Sequence, residues 1–385
     1  MIIKNAEIFG ADGRFRLGEI GISNGVFTNA VAAEDDIVYD GTDCYAIPGL
    51  IDIHFHGAMG YDICDGTLEA YDKIAKYEAS VGVTAICPAT LTLPTDTLEK
   101  VLTVGAEYAS TYHEDGAELV GFNMEGPFIS PIKKGAQNEA YILPCSAAIV
   151  ERFLQASKGL VKIVGLAPEE NPNFEEYIRK VQEQVKVSLA HTNADYETAM
   201  RAFDAGASHV VHLYNAMSEF THREPGVVGA TADSQGVTAE IICDGIHVHS
   251  SAVRAAYKLL GVDRMILISD SLRCTGMPDG IYELGGQDVR KIGNRCTLVE
   301  NGTIAGSVSN LYECMKMAVQ TFDIPLEKAI LSATITPAKC IGIDNQYGSI
   351  EEGKAADLLL LRKEDLSLKY VFKRGKLIEN TKVQP

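Results

Sequence analysis

The sequence predicts an α/β protein: a (β/α)8 TIM barrel with a small β-sandwich domain built from both termini. Three observations lead there. Between residues 48 and 340, eight apolar strand-like runs alternate with helix-like segments, and βα alternation of that length indicates a barrel more readily than an open sheet. The two ends of the chain share a different texture, short strands with Gly and Asn at the corners. In six of the eight central runs the last one or two inward positions are His, Glu or Asp, and a barrel gathers those ends at one mouth.

The elements follow in order. Residues 1–47, with MIIKNAEIFG and GEIGISNGVFTNA, supply the first part of the sandwich. The barrel occupies 48–340. Its strand runs are GLIDIHF, VTAICPA, LVGFNME, VKIVGLA, VKVSLAH, HVVHLYN, TAEIICD and MILISD. Helix-like segments between them include LEAYDKIAKYEASVG, DTLEKVLTVGAEYA, FEEYIRKVQEQV, DYETAMRAFDAGA and SAVRAAYKLLG. The Gly-rich, strand-like segment 274–306 reads as a hairpin inserted over the barrel mouth. Residues 341–385, with YGSIEEGKAADLLLLRKEDLSLKYVFKRGKLIE, return to complete the sandwich.

Composition narrows the functional classes. The 385 residues are 46% hydrophobic and 22% charged, an ordinary globular balance. The formal net charge of −18 argues against nucleic acid or an anionic membrane as partner. Any anionic substrate must therefore meet a local island of positive charge. The nine cysteines are scattered and form no CxxC pair, as expected of reduced thiols rather than disulfides or a zinc knuckle. No signal-peptide pattern opens the chain and no apolar run is long enough to span a bilayer. The expectation is a soluble cytoplasmic protein.

The ionisable strand ends carry the chemistry. His54 and His56 form an HxH pair; a strand's period of two places both imidazoles on one face, here the barrel axis, a natural start to a transition-metal site. Glu125 ends FNMEGPF, where a carboxylate could ligate one metal or bridge two, or simply cap the turn. His191 and His212 end buried-looking strands, where hydrogen-bonded core histidine is the alternative. Asp270 ends the last run; a carboxylate facing a water at a metal can take its proton and deliver it to a leaving amine. His209, at odd spacing from His212, is assigned to packing on the opposite face, and His113 to a solvated loop.

At these residues the chain resembles the amidohydrolase superfamily, and within it the N-acetylglucosamine-6-phosphate deacetylases. The resemblance spans nearly the whole chain: PGLIDIHFHG (48–57), MEGPF (124–128), AHTNA (190–194), HLYNAM (212–217), HREPGVVG (222–229), DGIHV (244–248), ISDS (268–271), GTIAGS (302–307) and GSIEEGKAADLLL (348–360). HxH is shared across the superfamily, whereas HLYNAM followed by REPG selects the deacetylases. The resemblance implies metal ligation by Glu125, His191 and His212, with Asp270 as general acid/base. It implies a second metal at His54 and His56, bridged by Glu125, with zinc or iron as the ion. It further implies a phosphosugar substrate held by Asn215, Ala216 and His247. Arg223 would reach the substrate phosphate of the neighbouring subunit in a homodimer, its alternative being a surface ion pair with Glu224. An Arg fork suits phosphate and supplies the positive island. Some relatives carry His in the segment after the EGP motif, where this chain has Gln137; a Gln there donates a hydrogen bond but no proton, so Gln137 is a candidate contact.

The implied activity is hydrolysis of N-acetylglucosamine 6-phosphate to glucosamine 6-phosphate and acetate, in amino-sugar catabolism and cell-wall sugar recycling. Two alternatives stand beside it: an amidohydrolase acting on another N-acetyl amino sugar or a cyclic amide, and a non-catalytic barrel that binds sugar phosphate. Many cyclic amidases use a carboxylated Lys at the end of strand four, where this chain reads GLAPEE.

Overall fold

The computed structural model of the chain describes residues 1–29 and 37–378. Ala30, at the end of one predicted strand run, and Glu379, at the end of another, lie outside the described residues. Eight parallel strands form the centre: β1 (Leu50–Asp52), β2 (Val83–Ile86), β3 (Phe122–Met124), β4 (Val161–Leu166), β5 (Lys186–Leu189), β6 (His209–Val210), β7 (Thr238–Ile242) and β8 (Met265–Ile268). Strands β3 to β8 pair successively, and β1 pairs with β2. Two-residue strands bridge the junction of β2 and β3: Glu118–Leu119 pairs with β2, and Ala89–Thr90 with β3. The seam between β8 and β1 is closed at the mouth, where Asp270 N–H donates to the His54 carbonyl at 2.9 Å and His56 N–H to the Ser271 carbonyl at 2.8 Å.

The barrel interior is a packed core. Ile51, Ile53, Ile163, Ile242, Ile266 and Ile268 fill it, and Ala338, Cys340, Ile341 and Tyr347 join the same cluster at one end. Outward-facing residues such as Leu50, Val83, Phe122, Val161 and Val187 pack into a larger cluster with the helices. A helix follows each strand: α1 (Leu68–Ser80), α2 (Thr95–Ala109), α3 (Ala147–Ala156), α4 (Phe174–Val181), α5 (Tyr196–Ala205), α6 (Gly226–Asp233), α7 (Ser250–Leu260) and α8 (Leu311–Gln320). Local chemistry sets several boundaries. Thr67 caps α1 by accepting from Ala70 N–H. Asp195 caps α5 through Thr198 N–H, and Gly206 ends it at φ 120°, a conformation costly for a residue with Cβ. Asn310 and Glu313 form a reciprocal capping box on α8. Helix α6 (GVVGATAD) is buried over most of its length, so it lacks the polar stripe that makes a helix legible in sequence.

The chain ends build one eight-stranded sheet rather than two separate ones. Its first strand, Ile2–Phe9, is irregular between Ile3 and Ala6, with Asn5 at φ 60°. That irregularity lets the first half pair with Val38–Asp40 and the second half with Cys44–Pro48. The sheet bends over itself, bringing the Tyr39 ring to 4.8 Å from Phe372 of Leu368–Lys373. Strand Leu358–Arg362 pairs with Cys44–Pro48, joining the C-terminal part to the N-terminal part.

Strands Gly280–Leu284, Gln287–Ile292 and Arg295–Leu298 form a three-stranded antiparallel sheet. Glycines 285, 286 and 293, all at positive φ, make its two tight turns, which accounts for a third strand where a hairpin was expected. Its apolar face packs on Leu91 and Leu272 beside the barrel mouth. Among the described residues no helix is long and apolar enough to cross a membrane.

Candidate active site and metal centre

Six side chains converge at the mouth. Glu125, beyond the end of β3, lies 3.0 Å from His191 Nε2 and 3.0 Å from His212 Nε2 through Oε1. His54 Nε2 is 3.3 Å from the same oxygen, and His56 Nε2 is 3.5 Å from Oε2. Asp270 Oδ1 lies 3.3 Å from His56 Nε2 and 3.8 Å from His54 Nε2. All are buried.

The backbone that aims them is unusual. His191, His212 and Asp270 have φ of 46°, 28° and 51°, in the left-handed region that L-residues avoid. Each turns its side chain off the regular alternation of its strand. His54 and His56 lie beyond the pairing of β1, which stops at Asp52. Ile51 and Ile53 face the interior whereas Leu50 and Phe55 pack outward, so the alternation breaks around His54. The expectation that strand period alone aligns HxH is therefore corrected. Gly165 in β4 allows Glu125 its place, since a Cβ there would stand 2.3 Å from the Glu125 carbonyl oxygen.

The second ring nitrogens are all committed. His56 Nδ1 meets the Ala89 carbonyl at 3.1 Å, His191 Nδ1 the Lys133 carbonyl at 2.8 Å, and His212 Nδ1 the Asn215 carbonyl at 3.1 Å. His54 Nδ1 instead meets Glu240 Oε2 at 2.7 Å. Carbonyls and carboxylates only accept, so each Nδ1 carries a proton, and each Nε2 is the nitrogen left to face Glu125 or Asp270. His54 Nε2 is buried and has no hydrogen-bond partner. Four imidazole Nε2 atoms and two carboxylates facing one another demand positive charge between them, as protons on the rings or as a cation. Burial opposes charge on His54, yet Glu240 and Glu125 hold its pKa well above the usual value. Burial likewise pushes Glu125 up, but His191 and His54 hold its carboxyl well below the usual carboxylate range. A divalent cation meets the same demand, and the residues fit one. His54, His56 and Glu125 form one group whose ligand atoms lie within 4.8 Å of one another; Glu125, His191 and His212 form another.

Above these residues opens a cavity of about 400 Å³. Its lining includes Lys133, Asn215, Ala216 and His247, with Thr303 and Ile304 from beside the three-stranded insertion. His247 is fixed by Asp244, whose Oδ2 lies 2.7 Å from His247 Nδ1 and whose Oδ1 accepts from His247 N–H. Burial lowers the basicity of His247, but Asp244 outweighs it and raises its pKa. Ala216, at φ 50°, leaves the turn after β6 in the left-handed region.

The other sequence-predicted residues divide. Gln137 lines the cavity, but its amide is engaged: Nε2 donates to Glu125 Oε2 at 2.5 Å and Oε1 accepts from Thr92 N–H at 2.7 Å. Asn215 Nδ2 donates within its own turn, to the His212 and Leu213 carbonyls. Arg223 is exposed and is not among the cavity residues of its own chain. Its guanidinium meets His222 Nε2 at 2.6 Å, rather than pairing with Glu224.

Two histidine readings are overturned. His113 is half-buried and stacked on Tyr108, with ring centroids 3.8 Å apart. His209 lies in the barrel interior on Glu240, not on the opposite face. β6 ends at Val210, so odd spacing does not separate His209 from His212. Glu240 itself was missed. Its signal was an acid in the middle of TAEIICD, a position a buried strand tolerates only when the charge is paired.

The sequence profile of the Amidohydrolase family matches residues 45–378. The chain belongs to the amidohydrolase family. This amidohydrolase is 35% identical over 368 residues to an N-acetylglucosamine-6-phosphate deacetylase of Bacillus subtilis, covering 94% of this chain and 93% of that one. It is 33% identical over 314 residues to an N-acetylgalactosamine-6-phosphate deacetylase of Escherichia coli O157:H7, covering 82% of each. Among solved structures, it superposes with a TM-score of 0.90 and 26% identity on a mutant N-acetyl-D-glucosamine-6-phosphate deacetylase from Mycobacterium smegmatis in complex with N-acetyl-D-glucosamine-6-phosphate. That match covers 98% of this chain and 99% of the other.

Proposed function

We propose that this amidohydrolase hydrolyses the N-acetyl group of N-acetylglucosamine 6-phosphate, releasing acetate and glucosamine 6-phosphate. The observation that carries the reading is the convergence of four imidazole Nε2 atoms and Glu125 beside Asp270, at the base of the cavity lined by Asn215, Ala216 and His247. His54, His56, Glu125, His191 and His212 would hold one or two divalent ions, zinc or iron. Bound there, such ions polarise the amide carbonyl and lower the pKa of a water to about 7.

The chain's own groups do the rest. Asp270 takes the proton of the attacking water as its oxygen bonds to the amide carbon. The same carboxyl then delivers that proton to the amine nitrogen as the C–N bond breaks. Gln137, donating to Oε2, keeps Glu125 from rotating. His247, held by Asp244, faces the sugar. Asn215 and the backbone of Ala216 receive the phosphate, and Arg223 reaches the phosphate of a second copy's substrate in a homodimer. Binding energy at the phosphate, remote from the amide, holds the carbonyl in place for attack.

The same reading divides the chain into a catalytic barrel at 48–340 and an accessory domain from 1–47 and 341–385, and places the enzyme in the cytoplasm. The experiment is acetate release by zinc- or iron-loaded protein from N-acetylglucosamine 6-phosphate, from its unphosphorylated sugar and from N-acetylgalactosamine 6-phosphate. Charge-assisted phosphate contacts of about 3 kcal/mol predict roughly a hundredfold preference in kcat/KM for the phosphorylated glucosamine substrate over its free sugar. Equal rates on the phosphorylated and free sugars would remove the phosphate roles of Asn215 and Arg223. A faster rate on the galacto sugar would reassign the substrate.

A further inference from the structure

His54 differs from the other three imidazoles in what holds it. His56, His191 and His212 each donate Nδ1–H to a neutral backbone carbonyl, whereas His54 donates to the carboxylate of Glu240. Glu240 sits in the middle of β7, fully buried. Its two oxygens are shared out. Oε2 accepts from His54 Nδ1 at 2.7 Å and from His212 N–H at 3.2 Å; Oε1 accepts from His209 Nε2 at 2.9 Å. His209 is anchored on its far side, where Nδ1 lies 2.7 Å from Thr238 Oγ1. The result is a chain of contacts inside the barrel, Thr238–His209–Glu240–His54, ending at the unpartnered His54 Nε2.

An ionised carboxylate has no proton to donate, so both ring nitrogens facing Glu240 must carry one. That puts a proton on His54 Nδ1 and leaves Nε2 as the nitrogen that can ligate a cation. A charged acceptor raises the basicity of a ligating imidazole more than a neutral carbonyl does. His209 engages Oε1, which leaves Oε2 for His54.

We propose that Glu240, clamped by His209, is a positioning residue that sets the metal affinity of the His54–His56–Glu125 group separately from that of the Glu125–His191–His212 group. The inference rests on the reading of these groups as a metal centre.

The test measures binding of Zn²⁺ alone, by equilibrium dialysis of the full chain against zinc buffers with metal content determined on the protein. His56→Asn and His191→Asn assign the two affinity classes to their groups. Glu240→Gln keeps the shape and removes the charge; it is expected to weaken the class lost in His56→Asn by about 10–100-fold and to change the other by less than threefold. His209→Gln keeps an N–H facing Glu240, and His209→Leu does not. Both lose the imidazole, so a purely structural role for the ring would move them alike. The proposal expects His209→Gln near the wild-type affinity and His209→Leu weakened in the same class as Glu240→Gln. Equal weakening of both classes in Glu240→Gln, no change in either, or identical behaviour of the two His209 variants would overturn it. A wild-type chain that binds no Zn²⁺ would overturn the metal reading itself, and this inference with it.

Discussion

Replacing Asp270 with Asn removes a proton acceptor and leaves nearly everything else about the residue in place. The backbone there is at φ 51°, and Asn tolerates that region as readily as Asp. Asp270 N–H still donates to the His54 carbonyl, and Ser307 N–H still donates to the Asp270 carbonyl at 2.7 Å. The amide oxygen occupies the position of Oδ1, 3.3 Å from His56 Nε2. The fold should therefore hold, with unfolding shifted by no more than about 1 kcal/mol. What is lost is proton transfer. Burial raises the Asp270 carboxyl, but the His56 and His54 imidazoles beside it hold it below its usual value, and a carboxylate facing the water is the group that accepts its proton. Positioned acid/base groups contribute roughly 10²–10⁴ in rate, about 3–5 kcal/mol of barrier. The expected result is kcat for acetate release down by at least a hundredfold, with KM within a few-fold and zinc content unchanged at saturating metal. Those three quantities are measured on one preparation by enzymatic acetate assay and elemental analysis. A kcat within tenfold of wild type, with metal and KM intact, would refute the role.

Three further outcomes follow from the geometry. Arg223→Ala should raise KM for the phosphorylated sugar by tenfold or more while leaving the slow rate on the free sugar unchanged; a parallel loss on both would show that Arg223 supports the fold or the dimer instead. Gly165→Ala places a Cβ 2.3 Å from the Glu125 carbonyl, a backbone atom that cannot swing aside; we expect a cost of about 1–3 kcal/mol in unfolding free energy and weakened zinc binding, and wild-type zinc affinity would contradict the close approach. Asp357 concerns pH. Burial pushes its carboxyl from 3.8 to about 6, against the pull of the Arg374 N–H, Lys373 and Arg374. Between these values the folded chain keeps a proton that the unfolded chain has released, so stability falls as pH rises through that window and levels off above it, at a cost of about 3 kcal/mol. Asp357→Asn should accordingly gain stability in urea unfolding at pH 8 and gain much less at pH 4.5, whereas a gain independent of pH would exclude linkage as its cause.

Much of the site was legible because a barrel converts position along a strand into position in space. Ionisable residues that close apolar runs, Glu125, His191, His212 and Asp270 among them, have few reasons to be there other than the mouth. His54 and His56 were found for a reason only partly right, since strand pairing stops at Asp52 and a break in alternation aims His54 inward. His209 was misread for the same cause: periodicity holds only while the strand does, and β6 is two residues long. Gln137 and Asn215 were expected as substrate contacts and both line the cavity, but sequence carries no sign that Gln137 would be committed to Glu125 or Asn215 to its own turn.

The sequence by itself determined the alternation of strands and helices, the apolar interior, the acidic surface and the set of groups able to bind a metal. These depend on residue type and local spacing, which the chain carries wherever it folds. Tertiary structure alone decided which nitrogen of each histidine faces the centre. That choice is made by acceptors distant in sequence, the Ala89, Lys133 and Asn215 carbonyls and the Glu240 carboxylate. It also decided that His191, His212 and Asp270 take up left-handed backbone, a conformation of higher local energy that the packing around them maintains. Local preference would have placed those side chains elsewhere, and only closure of the barrel, with its long-range hydrogen bonds, holds them facing Glu125.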